Sequence, residues 1–223
     1  MAEQPDTKER ILDAAEALFA ELGFAPTSMR KITGTAGVNL AAVNYHFGSK
    51  EELIKAVFTR RMAPLNAERL RRLDALEQGE TAPTLEQLLE AFIAPALELS
   101  QEHGGVGDRF VKLVGRSYTE HNEALRDHMY QLNRELVTRF KAAFGKALPH
   151  LPRQELSWRL HFLVGAVSYT MAGPDLVRLM AGARISDSGN AKALLSRLIP
   201  FLAEGLRAPL PADLPQIQLK HAS

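Results

Sequence analysis

The stretch "VNYHFGSKEEL", Val43–Leu53, sets three rings (Tyr45, His46 and Phe47) directly before Gly48, then restarts at Ser49 with two glutamates close behind. One helix closes and another opens within two positions. Ser49-x-x-Glu52 is a capping box, in which the hydroxyl accepts from a backbone N–H one turn on and the acid reaches back. Upstream, Asn39 is placed to cap a helix of about seven residues. Ala36-Gly37-Val38 reads as a tight turn with Gly37 at positive φ. Thr27 or Ser28 caps another short helix carrying Met29 and Ile32. Two short helices about a tight turn make a helix-turn-helix. So short a helix does not hold itself in water. Leu40, Val43 and Phe47 are therefore assigned to a small core with Phe19, Leu22, Ile32 and Ala36, and Phe47 is its anchor.

Working outward, Ile11, Leu12, Ala15, Leu18, Phe19 and Leu22 mark one helical face. Asp6 with Glu9 predicts a capping box at its start, and Gly23 its end. Beyond Ser49 the apolar positions are Leu53, Ile54, Val57 and Phe58. That helix continues to Pro64, which either bends it or stands in the first turn of a new one. Thr84-x-x-Gln87 opens another helix, with Leu85, Leu88, Leu89, Phe92, Ile93 and Ala96 inward. A helical stretch around 110–118 follows, then a stripe of Leu125, Met129, Leu132, Leu136, Phe140 and Phe144. Two late helices are predicted at about 153–172 and 190–207. No strand pattern and no repeat is visible. The reading is all-α: a three-helix helix-turn-helix unit over residues 1–50, a larger helical domain over 51–208, and a proline-rich mobile tail over 209–223.

Charge sharpens this. Residues 1–21 carry six acids, whereas residues 22–50 carry none beside Arg30, Lys31 and Lys50. An acid-free window suits a surface that meets phosphates. Thr27, Ser28, Tyr45, His46 and Lys50 are the candidate phosphate contacts. Asn39, Leu40, Ala42 and Asn44 are the candidate base-edge contacts, since asparagine can bond adenine bidentately. Asn39 is equally well only a cap, and the alternative for Tyr45 and His46 is plain surface.

Residues 11–58, "ILDAAEALFAELGFAPTSMRKITGTAGVNLAAVNYHFGSKEELIKAVF", resemble the DNA-binding domain of the TetR family of transcriptional regulators. The resemblance rests on Ala14-Ala15, Leu18-Phe19, Gly23-Phe24, Thr27-Ser28, Ile32, Ala36-Gly37-Val38, Tyr45-His46-Phe47, Lys50 and Leu53. It departs from the usual pattern at Ala41, often glycine, and at Asn44, often aromatic. It implies a homodimer that binds double-stranded operator DNA, with reading heads about 34–36 Å apart. "WRLHFLVGAVSYTMAG" and "IPFLAEGLRA", with "NLAAVNYHFGSK", are further similar to the PsrA-type, fatty-acid-responsive regulators. That implies a small apolar effector, a fatty acid or acyl-CoA, and a long apolar pocket.

Phe92, Phe110, Leu113, Phe140, Phe144 and Phe162 are the candidate pocket residues, with Arg109 or Arg116 for a carboxylate head. In 156–172, Leu156, Leu160, Leu163, Val167 and Met171 form one stripe, and His161, Gly165, Ser168 and Ala172 form a second. Leu195, Leu198 and Leu202 mark the last helix. The resemblance assigns the second stripe and the last helix to a dimer interface; otherwise both stripes bury within one chain.

Composition narrows the remaining classes. The net charge of +1 supplies no global field. With no cysteine there is no disulfide or thiolate chemistry. The N-terminus does not read as a signal peptide, and "FLVGAVSYTMAG" is too short to span a bilayer, so a cytoplasmic location without membrane association is expected. His121 and His128 lack a third ligand. Gly104-Gly105-Val106-Gly107 follows no strand and reads as a loop, not a dinucleotide fingerprint. No catalytic, metal or cofactor site is assigned. The alternatives left are a helical ligand-binding dimer without DNA binding, and an enzyme.

Overall fold

The computed structural model describes residues 6–100, 106–120, 122–172 and 191–210. Among them every regular element is a helix: α1 (Thr7–Leu22), α2 (Met29–Ala36), α3 (Leu40–Phe47), α4 (Lys50–Glu77), α5 (Leu85–Ser100), α6 (Val106–Thr119), α7 (Glu123–Ala147), α8 (Arg153–Ala172) and α9 (Ala191–Arg207). None is long and apolar enough to cross a membrane. Most of the predicted tail, and Gly104 and Gly105, lie outside the described residues. Val106 and Gly107 begin α6, so that half of the glycine-rich segment is helical.

Local chemistry sets the helix ends. Ser28, Asn39 and Ser49 accept from the backbone N–H groups of Lys31, Ala42 and Glu52 at 3.2, 2.8 and 3.1 Å. Gly37 closes α2 in the left-handed conformation, φ 64°. Thr84 and Gln87 exchange both capping-box bonds, at 2.9 and 3.2 Å. The expected box at α1 does not form: Asp6 makes no side-chain cap bond. The Glu9 carboxylate instead accepts from Arg60 Nη1 at 3.2 Å, drawn off by the stronger partner.

Two cores share α4. The first closes α1, α2 and α3 over Leu53, Ile54, Val57 and Phe58 and takes in Leu113 of α6 and Leu125 of α7. The second packs α5, α7, α8 and α9 about Leu88, Leu89, Phe140, Phe144 and Leu163. Arg159 fastens α8 to the end of α9, donating to the carbonyls of Leu206 and Ala208 at 2.9 and 2.6 Å. α4 runs unbroken through Pro64, so the alternative in which a new helix starts there does not hold.

A charge network ties α1 to α4. Glu16 is fully buried and accepts from Arg60 Nη2, and from Arg61 Nε at 3.0 Å, while Asp13 takes Arg60 Nη1 at 2.8 Å. Burial disfavours the Arg60 charge, but the Glu16 and Asp13 bonds outweigh it and the pKa rises.

Candidate DNA-reading surface and effector cavity

α3 separates its residues cleanly. Val43 and Phe47 are buried, whereas Leu40 is 50% and Tyr45 86% exposed. The core role assigned to Leu40 is thus overturned: it shares the stripe of Val43 and Phe47, at spacings of three and seven, but as the first residue of α3 it stays half exposed. Asn44 and Ala41 are exposed as well, and Ala42 and His46 are half-buried. Tyr45 and His46 pack edge to face, ring centroids 5.2 Å apart. Lys50 Nζ donates to the Ala25 carbonyl at 3.2 Å, which holds the ammonium beside the loop before α2. Arg30 and Lys31 are exposed on α2.

Thr27 does not join this surface. It is fully buried, and its hydroxyl donates to the carbonyl of Gly23 at 2.7 Å, locking the α1–α2 loop. Sequence reasoning also missed Arg10. Its Nη2 donates to the carbonyls of Ala36 and Gly37 at 2.6 and 2.9 Å, bracing the turn between the two short helices. A Cβ at residue 37 would meet that guanidinium at 2.9 Å, in addition to the positive φ.

The second feature is a cavity of about 260 Å³ bounded by α4, α5, α6, α7 and α8. Its wall is mostly apolar: Met62 and Leu65 of α4, Phe92 and Ala96 of α5, Phe110 and Val114 of α6, Met129, Leu136 and Val137 of α7, and Val164, Val167 and Met171 of α8. Of the sequence candidates, Phe92 and Phe110 line it. Leu113 points the other way, into the first core. Phe140 and Phe144 fill the second core, with Phe140 edge-on to Phe92 at 5.2 Å. Phe162 is 62% exposed and stacks on Trp158.

The two arginines proposed for a carboxylate do not reach the cavity. Arg109 is half-buried on α6, away from its wall. Arg116 donates to the carbonyls of Ala20 and Glu21 at 3.2 and 2.8 Å and pairs with Glu120, capping the end of α1. The cavity's arginine is Arg69, which sequence reasoning passed over. The signal was present: Arg69 continues the apolar stripe Phe58, Met62, Leu65 and Leu73 at spacings of three and four, where a cation is out of place. Burial pulls its pKa down to about 10, which leaves it charged near neutrality.

The residues assigned to a dimer interface divide. His161 and Gly165 are exposed on α8, and Leu195 and Leu198 are half-buried on α9. Ser168 faces the cavity, and Leu202 is buried in this chain's own second core. The side chain of Ala172 lies outside the described residues. Trp158 and Phe162 flank His161, each ring centroid 6.1 Å from it, and are 46 and 62% exposed; Tyr169 further along α8 and Phe201 of α9 are exposed by 60 and 72%. These are large side chains to leave exposed on two neighbouring helices. His128, considered as a metal ligand, instead bonds Thr59 Oγ1 at 2.7 Å, and no cluster of metal-binding side chains stands among the described residues.

Comparison with known proteins agrees with this geometry. A model of bacterial regulatory proteins of the tetR family matches residues 11–57, and a tetracyclin repressor-like C-terminal domain matches residues 90–205, more than half of the chain. The chain belongs to the TetR family, and it is a DNA-binding transcriptional regulator of the helix-turn-helix type.

Among its relatives, SrpR of Pseudomonas putida is 39% identical over 64 residues, 29% of this chain and 30% of that protein. The chain thus matches less than a third of that relative's length. The dual regulator CecR of Shigella flexneri is 28% identical over 181 residues, covering 78% of this chain and 80% of the relative. Of solved structures, the fatty acid degradation regulator FadR of Bacillus halodurans superposes with a TM-score of 0.65 at 16% identity, over 92% of this chain and 98% of that one. FadR of Bacillus subtilis, in complex with stearoyl-CoA, gives 0.64 at 17%, over 88% and 98%. These two show the shared fold.

Proposed function

We propose that the protein is a ligand-responsive repressor, released from its operator when an apolar, acyl-type molecule occupies the cavity. The observation that carries this reading is the cavity's position. α4 lends residues to its wall and, one turn upstream, to the core under α3. A ligand that fits one arrangement of these helices better than another shifts the chain toward it. The fatty-acid-linked names of the two FadR structures favour an acyl effector and a place in the PsrA-type subgroup.

Asn44, with Leu40, Ala42 and Asn39, faces base edges in the major groove, while Ser28, Tyr45, His46 and Lys50 hold phosphates. Two copies pair through Trp158, His161, Phe162, Gly165 and Tyr169 of α8 and Phe201 of α9. Their ring area is what a twofold interface between like surfaces buries. Thr27 leaves the set of phosphate contacts, its hydroxyl being spent inside the loop.

The test is a gel shift with the duplex upstream of the protein's own gene, against random duplex, at stepped salt. Specific binding that falls steeply with salt is expected, as counterion release requires. Asn44→Ala is expected to cost about 1–3 kcal/mol on the preferred site and to relax preference at one base pair. Equal affinity for both duplexes at every salt concentration would overturn the reading.

A further inference from the structure

The cavity is apolar except at a few points, and these are unequal. Both polar atoms of the Asn133 amide are engaged: Nδ2 donates to the Met129 carbonyl at 2.7 Å, and Oδ1 accepts from Asn66 at 3.0 Å. Arg69 is different. It is 7% exposed, and among the described residues no carboxylate pairs with it. Its Nε donates to the Phe92 carbonyl at 2.8 Å, and its Cζ lies 4.4 Å from the centroid of the Phe92 ring. Those two contacts fix the plane of the guanidinium. They leave Nη1 and Nη2 with no acceptor among the described residues.

Charged side chains are almost never buried without a partner, because desolvating the ion is costly. Every other arginine of α4 has an acid: Arg60 and Arg61 share Glu16, and Arg71 and Arg72 share Glu68. Arg69 alone on that helix presents an uncompensated charge to an empty apolar space.

We propose that the effector is a single-chain amphiphile with one anionic headgroup, a free carboxylic acid rather than a thioester, and that Arg69 is the residue that binds its head. A guanidinium with two free N–H edges matches a carboxylate bidentately. The rest of the wall, Met62, Phe110, Val114 and Met171 among it, takes the chain, and the methionines adapt to its shape. A thioester carbonyl would bring no charge to Arg69, and a coenzyme A head brings several to a site with one cation. This inference rests on the ligand-responsive reading above and specifies its ligand.

Isothermal titration of the full chain with dodecanoate and with 1-dodecanol separates head from chain, since the two differ only at one end. Dodecanoate should bind about tenfold or more tightly than the alcohol, the worth of a charged hydrogen bond. Arg69→Met should erase that preference by weakening dodecanoate alone, and Arg69→Lys should restore part of it. Should Arg69→Met fail to fold, Arg69→Gln replaces it, and the acid-versus-alcohol comparison on the unaltered chain still decides. Equal affinity for acid and alcohol, a preference that survives Arg69→Met, or binding of dodecanoyl-CoA with none of dodecanoate would each overturn the proposal. Gel shifts on the same preparations keep the two readings apart. A chain that binds operator but ignores the carboxylate sinks only this inference. A chain that prefers the acid but never binds duplex sinks only the repressor.

Discussion

The two halves of α4 lie in interiors of different kinds. Upstream, Leu53, Ile54, Val57 and Phe58 are at most 3% exposed and pack into a full core with α1, α2 and α3. Downstream, Met62 and Leu65 belong to a thin cluster that borders about 260 Å³ of empty space. One helix therefore holds a rigid object at one end and an adaptable one at the other. The full core fixes the outer face of α3, where a misplaced side chain loses its base. The empty space lets a molecule from outside supply packing that the chain withholds.

The sharpest way to break this contrast is to cut each interior. Phe58→Ala removes a ring that is 1% exposed and touches Phe24, centroids 6.0 Å apart. It should cost about 3–5 kcal/mol of unfolding free energy, the range for large-to-small changes in a full core. Thermal or urea denaturation reads this. Operator binding should be lost with it, since α3 rests on that core. A loss below about 1 kcal/mol would mean that the upstream interior is as loose as the downstream one.

Filling the cavity is the complementary cut. Val114→Phe adds volume where the wall faces empty space, so the usual penalty of overpacking, about 1–3 kcal/mol, should shrink to about 1 or less. Binding of an acyl ligand should fall sharply in titration while operator affinity stays. A variant destabilised as much as Phe58→Ala would show that the space is not available.

The same contrast explains what the sequence discloses. The caps Ser28, Asn39, Ser49 and Thr84 and the turn at Gly37 are readable because each is settled by neighbours within four residues. Val43 and Phe47 are readable because a short helix has only one face to bury. The cavity wall is drawn from five helices spread between Met62 and Met171, and no periodicity states which of several apolar stripes face a void. So Leu113, Phe140 and Phe144, all apolar and all helical, read as pocket residues but lie in solid core, while Met62, Met129 and Val137, which no pattern singles out, line the void. Leu40 fails for a related reason: hydrophobicity predicts burial only where a partner surface exists. Thr27 and Arg116 fail because their hydrogen-bond partners, the end of α1 and the loop after it, cannot be inferred without tertiary contacts. Arg69 is the exception that could have been found, as a cation on an apolar stripe.

The smallest effect expected lies at the second connection between the halves. α4 is the covalent link, and reading it alone makes Pro64 the natural pivot. α6 is a second link. Its Phe110 and Val114 line the cavity, and at its end the Glu120 carboxylate accepts from the backbone N–H groups of Phe24 and Ala25 at 2.8 and 3.4 Å. Gly23 makes room for this clasp: at φ 94°, a Cβ there would come within 2.5 Å of Glu120 Oε1. A ligand that moves α6 thus pulls on the loop that feeds α2. Glu120→Gln keeps an acceptor but removes its charge, so each bond weakens without being lost, and stability should change by about 1 kcal/mol or less. The ratio of operator affinities with and without saturating dodecanoate should nevertheless fall, by a few-fold. Pro64→Ala tests the other link. It restores a backbone bond in a helix that is already continuous through this position, and it should raise stability while moving the ratio less than Glu120→Gln does. The opposite order, with the ratio answering to Pro64 and indifferent to Glu120, would return the signal to α4.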